Sequence, residues 1–178
     1  MKLHLGCNRR YIPGFIHIDM AHYPHVDHNT AVEWLPMFED NAIELIYASH
    51  VLEYFDRQEA VQVLHEWHRV LMPGGTLRLA VPDLEALVTL YNTTHNLDLL
   101  LGPLYGRMIS AYVPIYHRTG YDFQSLRLVL EDAGFCSVHR YDWRETEHAE
   151  VDDFSQAFFP HMQKETGMLL SLNVESTK

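Results

Sequence analysis

Lys2–Asn8 reads KLHLGCN, in which two leucines alternate with polar residues and run into a glycine. A second apolar run, Phe15–Ile18, follows and ends on Asp19. A strand that stops at glycine lets the backbone pass close to a ligand, because no Cβ stands in the way. A carboxylate at the end of the next strand commonly holds ribose hydroxyls in open α/β sheets. Together the two runs predict a sheet edge that binds a nucleoside.

The dinucleotide-binding pattern G-x-G-x-x-G does not fit this stretch. It requires glycines where the chain has Asn8 and Tyr11. The second glycine normally lets a pyrophosphate approach, so its absence argues against NAD or FAD. A nucleoside cofactor without a pyrophosphate fits better, and S-adenosylmethionine (SAM) is the commonest of these. The alternative is a buried strand and its turn, with no ligand.

Composition limits the classes of partner. The 178 residues, 47% of them apolar, predict one globular domain over residues 1–178. Lys and Arg number 13 against 24 acidic residues, and this balance disfavours nucleic acid as a partner. Two cysteines, Cys7 and Cys136, form neither a disulfide framework nor a metal cluster by themselves, which suits a cytoplasmic protein. The sequence contains no stretch typical of a signal peptide or a membrane helix.

The spacing of apolar runs predicts an α/β order in the first half of the chain. Eight residues that include Pro13 and Gly14 separate the first two strands, so their connection holds a single helical turn or no helix. A short edge strand is predicted at His25–Asp27. Longer strands are predicted at Ile43–Ala48 and Thr76–Val81, with an amphipathic helix over Gln58–Leu71 between them.

The second half predicts two more helices and a late pair of strands. One helix follows Asp83, with Leu84, Leu87, Val88 and Tyr91 on one side. The irregular segment Asn92–Gly120 is interrupted by Gly and Pro and is a candidate lid or substrate wall. Asp122 caps the next helix, which Gly134 closes. Strands at Ser137–Trp143 and Met168–Val174 are then predicted to form an antiparallel hairpin.

The order of these elements resembles that of class I SAM-dependent methyltransferases. Three pieces carry most of the likeness: Leu5-Gly6-Cys7, Asp19 and Arg69–Leu77 (RVLMPGGTL). The chain is most similar to a small, shortened branch of that family. The motifs typical of that branch resemble three segments of this chain: Ser49–Glu53 (SHVLE), His117–Asp122 (HRTGYD) and Asp153–Ala157 (DFSQA). The resemblance implies a Rossmann-like fold with a mostly parallel central sheet, a C-terminal antiparallel hairpin and reduced N-terminal helices.

The resemblance also implies where SAM binds. The backbone at Gly6 and Cys7 would pass under the methionine part, and Asp19 would hold both ribose hydroxyls. The family usually has glycine where this chain has Asn8, although Asn is the residue next most tolerant of left-handed φ. The implied cofactor-binding residues are Leu5, Gly6, Cys7, Asn8, Asp19, Met20 beside the adenine, Asn29 and Thr30 flanking the adenine, and Ser49 and His50 at the methionine carboxylate and the sulfonium.

Histidines supply the candidates for catalysis and for metal binding. His117 lies at the end of the irregular segment and is a candidate general base for a hydroxyl acceptor; alternatively it caps the helix that begins at Asp122. His22, His25 and His28 recur every three residues. In a turn and an edge strand that spacing does not gather the rings on one face, so no metal site is predicted.

The leading hypothesis is a SAM-dependent methyltransferase that acts on a small molecule or a glycan. One alternative is a SAM- or nucleoside-binding module of the same fold without methyl transfer. Another is an interaction protein that docks through a bare sheet face. Phe15, Ile16 and Ile18 are apolar on both sides of their strand, so either Asn92–Gly120 or a second copy of the chain is expected to cover that surface. A homodimer is therefore predicted.

Overall fold

The computed structural model describes residues 1–110 and 113–178. In this part of the chain the helices are α1 Arg57–Val70, α2 Leu84–Thr94, α3 Asp98–Tyr105 and α4 Phe123–Asp132. Short 3₁₀ turns lie at Leu52–Tyr54, Trp143–Glu145 and Phe154–Gln156. The strands are β1 Lys2–Leu5, β2 Ile16–Asp19, β3 His28–Asn29, β4 Ile43–Ser49, β5 Leu71–Pro82, β6 Met108–Ser110, β7 Val113–Ile115, β8 Cys136–Arg140, β9 Phe158–Phe159, β10 Met168–Leu169 and β11 Ser171–Thr177.

A seven-stranded sheet with the order β3-β2-β1-β4-β5-β11-β8 forms the centre of the molecule. The first five strands are parallel, and β11 runs antiparallel to both β5 and β8. The prediction of a mostly parallel Rossmann-like sheet that ends in an antiparallel pair is confirmed. β1 and β4 are neighbours, but the chain leaves β1 toward β2 at one edge of the sheet and leaves β4 toward β5 at the other edge. At such a switch point a crevice opens at the carboxyl ends of the two strands.

The predicted C-terminal pair exists with shifted bounds. β11 begins at Ser171, and Met168–Leu169 pairs instead with Phe158–Phe159 in a separate two-stranded unit. The backbone explains the break: Leu170 N donates to Ala157 O at 2.8 Å, and Leu170 O accepts from Asp83 N at 2.9 Å. Leu170 thus ties the excursion between β8 and β11 to the end of β5.

The first long helix starts where the sequence places it, but the strand after it starts earlier. Asp56 accepts from the backbone N–H groups of Gln58 and Glu59, and the Glu59 side chain returns to Asp56 N, which completes a capping box. Leu71 is already extended and fully buried, and it pairs with Ile43. The Pro-Gly-Gly run therefore lies inside β5, where a register shift in the pairing with β4 accommodates it.

The face that α2 buries differs from the predicted one. Leu87 and Leu90 are buried against Leu100 and Leu170, whereas Val88 and Tyr91 are exposed. The cause is the helix α3, which forms within the segment predicted to be irregular and packs against one side of α2. The same segment adds the antiparallel pair β6–β7.

The N-terminal connections are as short as the spacing predicts. Turns without a helix join β1 to β2, and the edge strand lies at β3 rather than at His25–Asp27. Asp27 N donates to His17 O at 2.9 Å, but His17 N donates to the Asp27 carboxylate at 2.8 Å instead of to a backbone carbonyl, so the regular ladder begins only at His28. The predicted α/β fold with reduced N-terminal helices is thus confirmed.

Neither predicted cover is needed to bury Phe15. Phe15 packs with Ile12, Leu45 and Tyr47 beneath Val151, and only 7% of it is exposed. The ring of His148 stacks on that of Tyr47 at a centroid distance of 4.0 Å. The excursion between β8 and β11 therefore covers this face within one chain.

Among the described helices, none combines the length and the hydropathy that crossing a bilayer requires.

Candidate functional site

The loops that follow β1, β2 and β4 meet the β6–β7 hairpin around one pocket. This position, at the carboxyl ends of neighbouring parallel strands, is where open α/β sheets bind their ligands. The pocket is lined by Gly6, Asn8, Asp19, Met20, Ala21, Tyr23, Val32, Glu33, His50, Val51, Tyr54, Phe55, Met108 and Ile109.

The carboxylate of Asp19 is held rigidly at the pocket edge. One of its oxygens accepts from Asn8 N and the other from Ala21 N, both at 2.7 Å. Among the described residues it forms no ion pair, and each oxygen keeps lone-pair capacity for a further donor. Asp19 therefore presents a fixed acceptor to a ligand while it shapes the loop after β1.

The loop after β1 needs an unusual backbone at two positions. Gly6 has φ +63°, and a Cβ built there would lie 2.5 Å from Cγ2 of Val51. Asn8 has φ +50°, so it adopts the left-handed conformation that a glycine would supply. The side-chain amide of Asn8 also reaches Sδ of Met108 at 3.7 Å. Asn8 thus preserves the backbone path and links the loop to the β6–β7 hairpin.

The loop that carries Val32 and Glu33 is anchored to α1. Nε1 of the fully buried Trp67 donates to Val32 O at 2.9 Å. Glu66 accepts from Leu35 N at 2.8 Å, and its pKa is lowered, chiefly by its hydrogen bond with Arg69. These contacts fix the segment that supplies Val32 and Glu33 to the pocket wall.

The structure brings five of the predicted cofactor residues to the pocket, namely Gly6, Asn8, Asp19, Met20 and His50. Leu5 is buried beneath them, and Ser49 does not line the pocket. Cys7 is also buried, and burial, followed by the charge of Asp19, raises the pKa of its thiol to about 12.

Asn29 and Thr30 support the pocket from outside. The Asn29 side chain donates to the carbonyl oxygens of Asp19 and Ala21 at 2.9 and 3.1 Å, and Thr30 N donates to Asp19 O at 3.1 Å. They hold the turn that presents Asp19 and do not themselves line the pocket.

His117 lies behind the pocket wall. Its side chain is 6% exposed, and its ring packs edge-on against Tyr54 at 4.8 Å. Nδ1 lies 3.1 Å from Pro103 O, while Nε2 lies 3.7 Å from Oε1 of Glu53. Burial lowers the pKa of His117. It does not cap α4, which Asp122 caps by accepting from Ser125 N.

Sequence reasoning missed several lining residues, among them Tyr54, Met108 and Ile109. It also gave no role to Glu53, a fully buried acid next to the pocket. One signal was present for Glu53, because an acid inside the apolar run VLEYF is unusual on a buried turn.

The histidines considered for a metal site are dispersed. His25 packs against Tyr23 and His17, whereas His28 packs against Phe38. In the described part of the chain, no group of three or more His, Cys, Asp or Glu side chains has the geometry to hold a metal ion.

Comparison with known proteins identifies a methyltransferase-like fold. Residues 13–79 match the family model described as a methyltransferase domain. This part of the chain, which holds β2 to most of β5, is similar to the methyltransferase domain. No curated protein sequence matches it.

Solved structures of methyltransferases share the fold over nearly the whole of this chain. A SAM-dependent methyltransferase from Archaeoglobus fulgidus superposes with a TM-score of 0.59 at 15% identity, over 99% of this chain and 85% of that one. A SAM-dependent methyltransferase from Methanosarcina mazei gives 0.56 at 16% identity, over 99% and 91%. The Burkholderia thailandensis 1,6-didemethyltoxoflavin-N1-methyltransferase, solved with its substrate and S-adenosylhomocysteine (SAH), gives 0.58 at 12% identity, over 99% and 70%.

The lining of the pocket fits SAM, the cofactor named for the similar structures from Archaeoglobus fulgidus and Methanosarcina mazei. A carboxylate with free acceptor capacity, Asp19, suits ribose hydroxyls, which donate hydrogen bonds. Apolar side chains beside it, those of Met20 and Val32, suit the faces of an adenine ring. The glycine turn at Gly6 leaves the end of β1 free of a side chain.

Proposed function

We propose that this methyltransferase transfers the methyl group of SAM to a small molecule or a glycan bound in the same pocket. One observation carries the proposal: Asp19 stands at the pocket edge with both carboxylate oxygens fixed by backbone amides at 2.7 Å. The proposed domain spans residues 1–178. The Burkholderia thailandensis relative binds a small heterocycle, which supports an acceptor of that size.

Different residues are proposed to hold each part of the cofactor. Asp19 holds the ribose, Met20 and Val32 contact the adenine, and Gly6 with His50 borders the methionine part. Bound SAM supplies an electrophilic methyl group on a sulfonium. Positioning of the acceptor falls to the side chains on the other side of the pocket, Tyr54, Phe55, Met108 and Ile109. These apolar and aromatic groups exclude water and orient the acceptor for in-line attack.

The second candidate is a binding module that holds SAM without transfer. The sequence favoured this candidate because Asn8 stands where the family usually has glycine. Asn8 nevertheless keeps the left-handed backbone conformation that the glycine would adopt, so the replacement is weak evidence against an enzyme. The pocket walls supplied by Tyr54 and Ile109 favour an enzyme, because a module that holds only the cofactor has no need of a wall for a second ligand.

A methyl-release assay separates the two candidates. SAH formation from SAM is measured with a panel of small hydroxy- and amino-aromatic compounds, small amines and monosaccharides. We expect at least one acceptor to raise SAH formation well above the rate without acceptor. SAM binding by calorimetry together with no acceptor-dependent SAH across the panel would favour the binding module.

A cytoplasmic homodimer remains a prediction. The free cysteines, buried Cys7 and exposed Cys136, suit a reducing compartment. The apolar face around Phe15 no longer requires a second copy, because Val151 and His148 cover it. Sedimentation velocity at micromolar concentration tests the assembly. A dimer is the predicted result, and a single species at the monomer mass of 20.8 kDa contradicts it.

A further inference from the structure

Arg10, in the loop after β1, keeps most of its hydrogen-bond donors free of partners within the fold. Its Nε donates to Asp152 O at 3.0 Å, and this is the one hydrogen bond of its side chain among the described residues. The two terminal nitrogens of the guanidinium therefore remain able to donate to a ligand. In the described part of this acidic chain Arg10 forms no ion pair, whereas six other arginines pair with carboxylates, namely Arg69, Arg78, Arg118, Arg127, Arg140 and Arg144.

The acids of the adjoining excursion are engaged elsewhere. Oδ1 of Asp152 accepts from Nζ of Lys164 at 2.8 Å. Oδ2 of Asp153 accepts from the buried hydroxyl of Tyr47 at 2.5 Å. The backbone of Asp152 thus holds Arg10 in place, while its carboxylate balances a different cation. The charge of Arg10 is therefore available to an anionic group that comes from outside the chain.

Phe154 connects Arg10 to the pocket. Cζ of Arg10 lies 5.1 Å from the centre of the Phe154 ring, and that ring lies 5.2 Å from the ring of His50, which lines the pocket. Phe154 is 54% exposed, although the turn that carries it is anchored, because Ser155 N donates to Oδ1 of Asp153 at 2.8 Å. A fixed turn thus presents an exposed aromatic ring and a cation side by side at the rim of the pocket.

The lining of the pocket holds no cation of its own among the described residues. Its charged side chains are two acids, Asp19 and Glu33. A ligand carboxylate that leaves water without a partner is costly to bind. A ligand that carries a carboxylate into this pocket therefore needs a cation from the rim.

The two arginines at the rim lie at different ends of the pocket. Cζ of Arg9 lies 6.0 Å from the ring centre of Tyr23, which lines the pocket just after the turn that carries Asp19. Arg9 therefore borders the end proposed to hold the nucleoside. Arg10 borders the end at His50, where the proposed function places the methionine part of SAM.

We propose that Arg10, supported by Phe154, forms a carboxylate-binding subsite at the His50 end of the pocket; this inference rests on the proposed function. The planar guanidinium offers a fork of N–H donors that matches the two oxygens of a carboxylate, and the aromatic ring lies against the cation. Two ligands carry this chemistry to the pocket. One is SAM, through the carboxylate of its methionine part, and the other is an acceptor that is an aromatic acid, whose ring the exposed part of Phe154 would contact.

Arg10→Gln tests the cofactor as the source of the carboxylate. Glutamine removes the charge and the fork but keeps an amide that can donate to Asp152 O. Titration calorimetry on the full chain compares SAH with 5′-methylthioadenosine, which has the same nucleoside and no carboxylate. We expect R10Q to weaken SAH binding roughly ten- to hundredfold and to change methylthioadenosine binding by less than about twofold. Arg10→Lys keeps the charge without the fork, so it should recover part of the affinity.

A second arm tests the acceptor as the source. The SAH-saturated protein is titrated with 4-hydroxybenzoate and with its neutral counterpart, 4-hydroxybenzamide. If the acceptor brings the carboxylate, the acid binds the parent protein more tightly than the amide, R10Q removes that preference, and SAH affinity stays unchanged. Phe154→Leu removes the aromatic face at an exposed position, so it should weaken whichever carboxylate ligand binds by about two- to fivefold.

Arg9→Gln is the matched control, because it removes the same charge from the neighbouring residue at the other end of the pocket. It should change the binding of all four ligands by less than about twofold. Loss of carboxylate preference to the same extent in R9Q and R10Q would overturn the subsite, since it would reflect a general effect of charge. Full preference for the carboxylate ligands in R10Q, in both arms, would overturn it as well. Both results leave the proposed function intact, whereas a protein that binds neither SAM nor SAH overturns the function together with this inference.

Discussion

Asp19→Ala is expected to weaken SAM binding by roughly ten- to hundredfold. A charged hydrogen-bond partner typically contributes about 1.5–3 kcal/mol, which corresponds to that range in affinity. The substitution also frees the amides of Asn8 and Ala21, which the carboxylate holds at 2.7 Å, so the loop after β1 loses its shape as well. Titration calorimetry with SAM and with SAH measures the effect.

Asp27→Ala is the matched control for this experiment. Asp27 also accepts a backbone hydrogen bond, from His17 N at 2.8 Å, but it does not line the pocket. Its loss should change SAM affinity by less than about twofold while costing stability of the order of one such hydrogen bond. If Asp19→Ala binds SAM as tightly as the parent protein, the ribose is held elsewhere.

Acidification from pH 7 to pH 4.5 is expected to lower the free energy of unfolding by about 5 kcal/mol. Burial lowers the pKa of His4 to about 3 and that of His148 to about 4, and both side chains are 1% exposed. Their ordinary pKa is near 6.5, so the unfolded chain binds more protons below that pH. Stability is therefore full above about pH 6.5 and falls as the pH drops toward 4. Urea unfolding at a series of pH values measures this slope.

His4→Phe separates the histidines from the carboxylates. Phenylalanine keeps a ring against Tyr47, which stacks on His4 at 5.3 Å, but it cannot take up a proton. The variant should lose about half of the slope between pH 6.5 and 4.5. Carboxylates with lowered pKa values, such as Glu147 at about 2, contribute below about pH 4.5. An unchanged slope in His4→Phe would show that His4 is not buried as a neutral ring.

The sequence alone predicted the elements whose local signals agree with their tertiary environment. The leucines that run into Gly6 and the carboxylate of Asp19 indicated the pocket edge. A ligand site there needs a backbone without a side chain and a charge at a strand end, and both features can be recognised from neighbouring residues alone. The apolar period over Gln58–Leu71 likewise placed the start of α1 within one residue, where the structure shows a capping box at Asp56. Five of the ten predicted cofactor residues line the pocket for the same reason.

What the sequence did not predict depends on contacts between distant segments. The face of α2 turned toward Leu100 because α3 packs there, and no period within α2 shows that neighbour. The early start of β5 at Leu71 depends on pairing with Ile43, which overrides the breaking tendency of Pro-Gly-Gly. Val151 covers Phe15 from an excursion more than a hundred residues away.

Contacts between distant segments also explain the position of His117. His117 looked accessible because it follows a Gly- and Pro-rich segment, but that segment folds into α3 and the β6–β7 hairpin, and His117 packs against Tyr54 behind the pocket wall.

A crystal structure of the protein grown with SAH tests the central claim most directly, which is that Asp19 anchors SAM in the pocket at the ends of β1, β2 and β4. We expect density for the nucleoside beside Gly6, with both ribose hydroxyls within hydrogen-bonding distance, about 2.5–3.2 Å, of the Asp19 carboxylate. Density for SAH at another place on the molecule, or a ribose that makes no contact with Asp19, would contradict it.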